Sequence, residues 1–397
     1  MKRIAIFGGL AVLVSVAVAF LAWTTSPDPK YNPATYEDTP LVERIAQFED
    51  AITLARYADD SGVVRTILVL AFEGETVTGV DLRELGGING GDPFEVLASV
   101  EALPATVQEA EAYPKIVLTM DRLMPAGSVG NRHIGTGTNF PEHAEEANST
   151  SVFVFPKFGK ATPSRTTLRR QPGILLDYEV ELCMRFDRDI TSINDFDAAV
   201  KGVFLCGDFT NRNALVELAD PDNLDSGSGF SDAKSGPDHF PTGPFLVIPS
   251  DWQSFVASLR MTTSLNDEPR QDARGAEMTL DFRELVAKSL GDMSERRFLY
   301  RGGREYLAEG GIISKEMTIM SGTSEGTIFT GPTRGDLIEA VAAYLVTGGP
   351  LVHESLMDSA KGTFIENELS SGHFLQPGDT VLHGSSHLGN IAVEVTR

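Results

Sequence analysis

The sequence predicts an α+β protein: a β-rich catalytic domain that follows a smaller N-terminal α/β domain and a membrane-directing helix. From about residue 131, apolar runs of strand length alternate densely with Gly, Pro and Asp, whereas few segments show helical periodicity. The alternation is too irregular for repeating βαβ units, and the sequence contains neither GxGxxG nor a P-loop motif. The third observation is the apolar N-terminus.

The predicted organisation has four parts. A transmembrane anchor or signal segment occupies 1–25, a proline-rich linker 26–40, an N-terminal α/β domain 41–127, and the catalytic domain 128–397. Within the α/β domain, apolar residues recur at spacings of three and four over 41–55, which predicts an amphipathic helix.

Residues 4–23 carry no charge and follow Lys2 and Arg3. A helix of that length measures about 30 Å, enough to cross a bilayer, so we expect an anchor in the membrane. A signal peptide cleaved after the small residues at 17–19 is the alternative. Either interpretation places the remaining chain outside the cytoplasm, on the periplasmic or extracellular side, and secreted if cleavage occurs.

Composition excludes one class of partner. The chain has 56 acidic and 33 basic residues and a formal charge of −23, which argues against general binding to nucleic acid. Its two cysteines, Cys183 and Cys206, have no metal-binding spacing and lie in apolar runs. We expect them to pack as small hydrophobic side chains, with a disulfide as the alternative.

The stretch 173–186 predicts a strand with two unlike faces. One face is apolar, whereas the other carries Asp177, Glu179 and Glu181 in succession. A solvated acidic face is one interpretation; a site for a hard divalent cation such as Mg²⁺, Mn²⁺ or Ca²⁺ is the other. Asp208, at the end of the apolar run 201–207, could supply a third carboxylate, although a turn aspartate often bonds only its own backbone.

His143 and Glu146 lie three residues apart on a predicted short helix that starts near Asn139 and Pro141. A carboxylate beside an imidazole raises its basicity, so the pair is a candidate general base; a surface ion pair is the alternative.

Between Ala147 and Leu176 the chain has no acidic residue but forms a basic island of five residues: Lys157, Lys160, Arg165, Arg169 and Arg170. The basic island could attract an anionic substrate, and a solvated loop is the alternative.

Taken together, these segments resemble the fumarylacetoacetate hydrolase superfamily from about Met124 to the C-terminus. GTNFPEHAEEA resembles its NY-x-x-H-x-x-E motif, LDYEVEL its paired-glutamate metal strand, and GVFLCGDFTNR the segment with the third metal ligand. AKSGPDHFPTGPF, SLNDEPRQ, TIFTGPT and LQPGDTV are similar to its lysine block, glutamine hairpin, TGTP loop and C-terminal strand pair.

The resemblance implies a mixed β-roll catalytic fold, a divalent cation (Mg²⁺, or Mn²⁺ or Ca²⁺) and a 2-oxo acid or 1,3-diketo acid substrate. It also makes a homodimer a family-level expectation. The expected reaction is hydrolysis of a C–C bond; 2-oxo-enoate hydration or isomerisation and decarboxylation of oxaloacetate-like acids use the same site. The roles that it implies are catalysis by His143, Glu146 and Lys234, metal binding by Glu179, Glu181 and Asp208, and substrate binding by Arg212, Gln271 and Thr330.

Some positions depart from the family pattern. Gly207 replaces the usual Asn before the metal aspartate, Asp267 replaces the hairpin glycine, and the TGTP loop reads Thr330-Gly331-Pro332-Thr333. Long extra segments occur at about 281–322 and 335–373. Because the changed positions shape the substrate pocket, a non-catalytic ligand-binding member is the alternative of another class.

Overall fold

The computed structural model describes residues 15–27, 29, 31–147, 149–220, 222–352 and 355–397. The chain forms two compact units. The larger unit comprises Pro33–Thr327 and Leu375–Arg397, and the smaller unit comprises Met1–Asn32, of which only the described residues are considered, and Ile328–Phe374.

Nineteen strands are found in the described ranges, and all of them belong to the larger unit. In chain order they are β1 Ala51–Ala58, β2 Val64–Glu73, β3 Thr76–Asp81, β4 Lys115–Thr119, β5 Arg132–Gly137, β6 Phe153–Phe158, β7 Arg165–Arg169, β8 Leu176–Asp177, β9 Val180–Phe186, β10 Lys201–Gly207, β11 Thr210–Asn211, β12 Phe245–Pro249, β13 Arg260–Leu265, β14 Glu268–Arg274, β15 Phe298–Tyr300, β16 Gly303–Glu305, β17 Ile319–Met320, β18 Thr380–Ser385 and β19 Gly389–Thr396.

The described helices of the larger unit have at most ten residues, and the smaller unit contains two longer ones. Those of the larger unit are α1 Pro93–Ser99, α2 Val107–Ala110, α3 Pro141–Glu146, α4 Ile193–Ala198, α5 Arg212–Leu218, α6 Phe230–Lys234, α7 Trp252–Ser258 and α8 Phe282–Gly291. Those of the smaller unit are α9 Arg334–Val346, α10 Gly349–Val352 and α11 Leu356–Ser371, together with a helical stretch at 15–24.

A ten-stranded sheet is the centre of the larger unit, with strand order β4-β3-β2-β1-β12-β10-β9-β17-β5-β6. Strands β1–β4 of the predicted N-terminal α/β domain therefore share one sheet with β9 and β10 of the predicted catalytic domain. A second sheet has the order β14-β13-β18-β19-β7. Its strands contribute Gln271 and His383, both fully buried.

The acidic stretch pairs with residues 201–211 in one antiparallel register, and the ladder is interrupted at its middle. Residues 176–177 pair with β11, and residues 180–186 pair with β10, so Tyr178 and Glu179 lie between two short ladders. In the second ladder Cys206 lies opposite Glu181 and Gly207 opposite Val180. Glu181 and Asp208 are thereby brought to the same end of one strand pair.

Two predicted elements are wrong. Residues 41–55 are not a helix: β1 begins at Ala51 and pairs with β2 on one side and with β12 on the other. Strand pairing with both neighbours overrides the helical spacing of the apolar residues, because tertiary contacts outweigh the local preference of a segment for helix. Residues 327–330, one of the runs of strand length expected after residue 131, have no regular structure.

The cysteines also differ from the expectation. Cys183 and Cys206 form a disulfide across β9 and β10, with their Cα atoms 6.0 Å apart. Both are fully buried in an apolar cluster with Phe204, Phe240 and Leu246. Their apolar setting was predicted, but the covalent bond between them was the less favoured alternative.

The predicted membrane segment is tested only in part. No helix among the described residues is long and apolar enough to span a bilayer. The helical stretch at 15–24 covers the second half of the predicted segment, and residues 4–14 lie outside the described residues.

Candidate active site

Three carboxylates meet inside the larger unit. Glu179, Glu181 and Asp208 are all buried, and each offers an oxygen within 4.8 Å of the others. Glu179 and Glu181 come from the junction of β8 and β9, whereas Asp208 follows β10. The structure thus brings together the three residues predicted as metal ligands.

Backbone groups fix the positions of these carboxylates. The Asp208 N–H donates to the Glu179 carbonyl at 2.9 Å, continuing the strand pair past its last residue. The Gly322 N–H donates to Glu181 Oε2 at 2.8 Å. Gly322 has a φ of 79°, and a Cβ there would lie 3.1 Å from the Thr136 carbonyl oxygen, so a glycine is required at this contact.

Three buried cations surround the carboxylates. Lys234 Nζ donates to Glu179 at 2.5 Å and to Asp208 at 3.0 Å. Lys157 Nζ donates to the second oxygen of Asp208 at 2.6 Å. Arg212 donates to Glu179 at 2.9 Å and to Asp177 at 2.8 Å. Asp177 is therefore part of the charge network, but lies outside the group of three.

The two neighbouring glutamates experience opposite environments. Burial raises the pKa of Glu179, but Lys234 and Arg212 outweigh it and bring that pKa down to about 2. Burial and the repulsion from Asp208 raise the pKa of Glu181 well above its ordinary value. Glu181 is thus the carboxylate that most lacks positive charge.

These donors fit a hard divalent cation. Carboxylate oxygens are the ligands that Mg²⁺, Mn²⁺ and Ca²⁺ prefer, and the triad supplies three of them in one buried place. Burial and the repulsion from Asp208 disfavour the ionised form of Glu181 when no cation is bound, and a bound cation would favour that form. The site fits the predicted metal, whichever of these ions is used.

The two side chains of the predicted general base, His143 and Glu146, are in contact. His143 Nδ1 lies 2.9 Å from Glu146 Oε2 on α3, and the other oxygen of Glu146 accepts the Gly326 N–H at 3.0 Å. The imidazole is close enough to the triad to contribute to the lowered pKa of Glu179. The side chains of His143 and Glu146 retain 13% exposure each, so water can reach them.

Asn139 does not cap this helix, contrary to prediction. Phe140 is the N-cap residue, and α3 receives no side-chain cap. The Asn139 amide instead donates to the Ser321 carbonyl at 2.9 Å and accepts the Leu280 N–H at 2.8 Å. It connects the start of α3 to the segment that carries Gly322.

The predicted substrate-binding residues are found in different places. Gln271 is buried, and its Oε1 accepts the Val180 N–H at 3.2 Å, between Glu179 and Glu181 in the chain. Its Nε2 donates to Thr323 at 2.9 Å. Arg212 is paired with Asp177 and Glu179, and Thr330 belongs to the smaller unit. Their substrate contacts stay predictions.

Lys157 is the site residue that the sequence interpretation missed. It was assigned to a basic island, yet its side chain is fully buried. A signal was available: Lys157 follows Phe153 and Phe155 at strand spacing, so it shares their inward face. A lysine on a buried face requires a carboxylate partner.

Gly207 departs from the family pattern for a visible reason. A Cβ there would lie 3.0 Å from Pro241 and 3.2 Å from Nε2 of the buried His383. His383 Nδ1 lies 2.8 Å from the Thr263 hydroxyl, which donates to Gln271. In this chain the imidazole occupies the space beside residue 207.

Curated relatives match part of the chain. Uncharacterized proteins of Staphylococcus aureus, among them those of strains USA300 and Mu50, are 29% identical over 185 residues. The match covers 45% of this chain, and it spans 58% of the length of these relatives.

Solved structures share the fold. A putative HpcE protein from Mycobacterium smegmatis has a TM-score of 0.52 at 19% identity, covering 87% of this chain and 100% of that one. A fumarylacetoacetate hydrolase from Exiguobacterium antarcticum has a TM-score of 0.52 at 17% identity, covering 87% and 99%. A 5-carboxymethyl-2-hydroxymuconate delta-isomerase from M. smegmatis has 0.51 at 15%, covering 87% and 99%.

The family model described as the fumarylacetoacetate (FAA) hydrolase C-terminal domain matches residues 132–396. This range contains α3, β8–β10, the carboxylate triad and the His143–Glu146 pair. Proteins of this family are generally enzymes, hydrolases or isomerases, and typically use a divalent metal. The chain belongs to the fumarylacetoacetate hydrolase superfamily.

Proposed function

We propose that this protein is a metal-dependent hydrolase that cleaves a C–C bond in a 2-oxo acid or 1,3-diketo acid of the acylpyruvate type. The observation that carries the proposal is the pairing of His143 with Glu146 beside a buried triad of carboxylates. Both parts are needed, because the reaction requires an activated water and a polarised carbonyl group.

His143 is the proposed base. With Nδ1–H donating to Glu146 Oε2, Nε2 is left to accept a proton from water. The hydroxide equivalent adds to the acyl carbonyl carbon, the C–C bond breaks, and the proton moves from Nε2 to the leaving enolate carbon. The net reaction consumes one water and yields a carboxylic acid and a 2-oxo acid.

Glu179, Glu181 and Asp208 would hold the cation, which supplies Lewis-acid polarisation of a carbonyl oxygen when bound. Lys234, whose Nζ donates to Glu179, Asp208 and Thr210, would contribute positive charge where the enolate develops. Lys157, which pairs with Asp208 at 2.6 Å, would hold that carboxylate in place. Arg212 orients Glu179 from the other side.

The direct test is turnover of an acylpyruvate by the full-length chain with Mg²⁺ or Mn²⁺, with products identified by mass spectrometry. The His143→Asn variant should lose roughly 10²–10⁴-fold in kcat, because general base catalysis is removed. Glu145→Gln, an exposed neighbour on the same helix, is the matched control and should retain activity. Activity that survives both chelation and His143→Asn would refute the mechanism.

Other reactions on the same site give different products. A hydratase or isomerase would convert a 2-oxo-enoate without breaking a C–C bond, and a decarboxylase would release CO₂ from an oxaloacetate-like acid. A non-catalytic member would be stabilised thermally by such acids without turnover. The mass of the products distinguishes hydrolysis, hydration and decarboxylation. An isomer has the mass of its substrate and is separated from it by chromatography, and thermal stabilisation without a new product identifies a non-catalytic member.

We also infer that the catalytic part acts outside the cytoplasm, with residues 4–23 as anchor or signal. The buried Cys183–Cys206 disulfide supports this inference, because disulfides persist mainly in oxidising compartments. Fusing alkaline phosphatase after residue 397 tests it in a bacterial host. We expect an active fusion, whereas an inactive fusion with intact expression would contradict the inference.

A further inference from the structure

The disulfide lies beside the metal-binding carboxylates along both strands that it joins. Cys183 follows Glu181 by two residues on β9, and Cys206 precedes Asp208 by two residues on β10. Residues two apart on a strand share a face. Cys206 is also directly opposite Glu181, and its Sγ lies 3.5 Å from the Glu181 carbonyl oxygen.

The two ligands lie where the regular ladder of the strand pair is interrupted. The ladder between β9 and β10 runs from Phe186–Lys201 to Val180–Gly207, and the same register resumes at Asp177–Thr210 between β8 and β11. At the interruption the two chains are joined by the bond from the Asp208 N–H to the Glu179 carbonyl, and the buried carboxylates of Glu181 and Asp208 lie close together there. The disulfide is a covalent connection between the two strands next to this interruption.

We propose that the Cys183–Cys206 disulfide is a positioning device for the metal site, which keeps Glu181 and Asp208 close enough to share one divalent cation. The oxidised chain then binds the cation more tightly than the reduced chain. This inference rests on the metal site of the proposed function, and it adds redox control of that site. The cysteines touch neither substrate nor metal; they act through the strands that carry the ligands.

If the disulfide contributed only packing, metal affinity would respond differently to substitutions around it. The disulfide is packed in an apolar cluster with Phe204, Phe240 and Leu246, so its loss removes some packing as well as the cross-link. If packing were its whole contribution, other losses from this cluster would affect metal binding equally. If the cross-link positions the ligands, metal affinity depends on the cysteines specifically.

The experiment compares Mn²⁺ affinity of the full-length chain in two redox states, without substrate. A phosphine reductant supplies two electrons and is oxidised to its phosphine oxide as water provides the oxygen and the two thiol protons; it is removed before titration. We expect the dissociation constant of Mn²⁺ to rise on the order of tenfold on reduction, the size typical of lost ligand support. Reoxidation by glutathione disulfide, which yields two glutathione thiols, should restore it.

Variants separate the cross-link from its packing. Cys183→Ala/Cys206→Ala should bind Mn²⁺ as weakly as the reduced wild type and should not respond to reductant. Leu246→Ala, which removes volume from the same cluster and leaves the disulfide intact, should lose thermal stability but keep its Mn²⁺ affinity. Should the double variant not fold, the wild type in its two redox states decides the question.

Equal Mn²⁺ affinity in both redox states would overturn the positioning role and leave the proposed function standing. Weakened affinity in Leu246→Ala to the same degree would also overturn it, since packing alone would then be responsible. If even the oxidised wild type bound no Mn²⁺, both this inference and the proposed metal site would fail.

Discussion

The carboxylate cluster and the His143–Glu146 pair are two parts of one proposed site, but the fold holds them in contrasting ways. In the cluster, each carboxylate is buried and is bonded to lysines, to an arginine or to backbone N–H groups. The pair lies on a six-residue helix without a side-chain cap, is partly exposed, and is tied to other elements through the bond from Gly326 to Glu146.

This difference in burial determines whether a substitution affects the stability of the fold as well as the chemistry. Ionised groups deep in a protein must compensate one another, so changing one of them leaves its partner unpaired and destabilises the fold. A partly exposed pair has water as an alternative partner, so it can change with little effect on stability. We therefore expect substitutions in the cluster to affect folding and chemistry together, and substitutions in the pair to affect chemistry alone.

The largest expected effect comes from Asp208→Asn. It leaves Lys157 fully buried without its carboxylate, so the free energy of unfolding should fall by about 3–5 kcal/mol. Urea denaturation of the metal-free chain measures this quantity. A loss below about 1 kcal/mol would mean that the cluster is no more tightly coupled to folding than a surface pair.

Glu146→Gln is the corresponding change in the pair. Because the neutral amide orients the imidazole of His143 less well than the carboxylate does, kcat should fall roughly 10²-fold. Metal affinity and the urea midpoint should stay near their wild-type values. A combined loss of stability and metal affinity would remove the distinction between the two regions.

A smaller effect is expected from His133, a buried histidine that makes the stability of the fold depend on pH. Burial, and to a lesser extent Lys157, lower the pKa of His133 to about 4, whereas its carbonyl contact to Gly159 acts in the opposite direction. The unfolded chain, with an ordinary histidine pKa of about 6.5, binds more protons between these values, so stability falls as pH drops from about 6.5 to 4.

His133→Gln should remove this contribution, making the pH dependence of unfolding shallower by up to about 1.4 kcal/mol per pH unit in that window. Urea midpoints measured at several pH values test this expectation, and an unchanged slope in His133→Gln would show that His133 is not the titrating group.

The sequence predicted the cluster better than its surroundings. Alternation along the acidic stretch and the position of Asp208 at the end of an apolar run are local patterns that made these carboxylates candidates, and the family resemblance then selected three of them as ligands. Lys157 was missed because its partner lies 51 residues away, directly after a strand with which β6 is not paired. The bond between Cys183 and Cys206 likewise depends on the register of two strands.

Outside the carboxylate cluster, too, contacts between residues distant in sequence could not be predicted from local patterns. The apolar spacing in 41–55 is helical, but residues from Ala51 onward pair with β2 and β12 in the sheet. No pattern within the segment identifies those partner strands. Gln271 was expected to contact substrate from its place in a hairpin. The structure adds a contact with the Val180 N–H that only the packing of two sheets could create.

The central claim is that Glu179, Glu181 and Asp208 form one site for a divalent cation, and Mn²⁺ titration monitored by electron paramagnetic resonance tests it most directly. For the oxidised full-length chain we expect one saturable Mn²⁺ per chain, lost in Glu181→Gln and retained in Asp177→Asn, the buried neighbour outside the triad. The absence of a saturable site, or a site that persists in Glu181→Gln, would contradict the account.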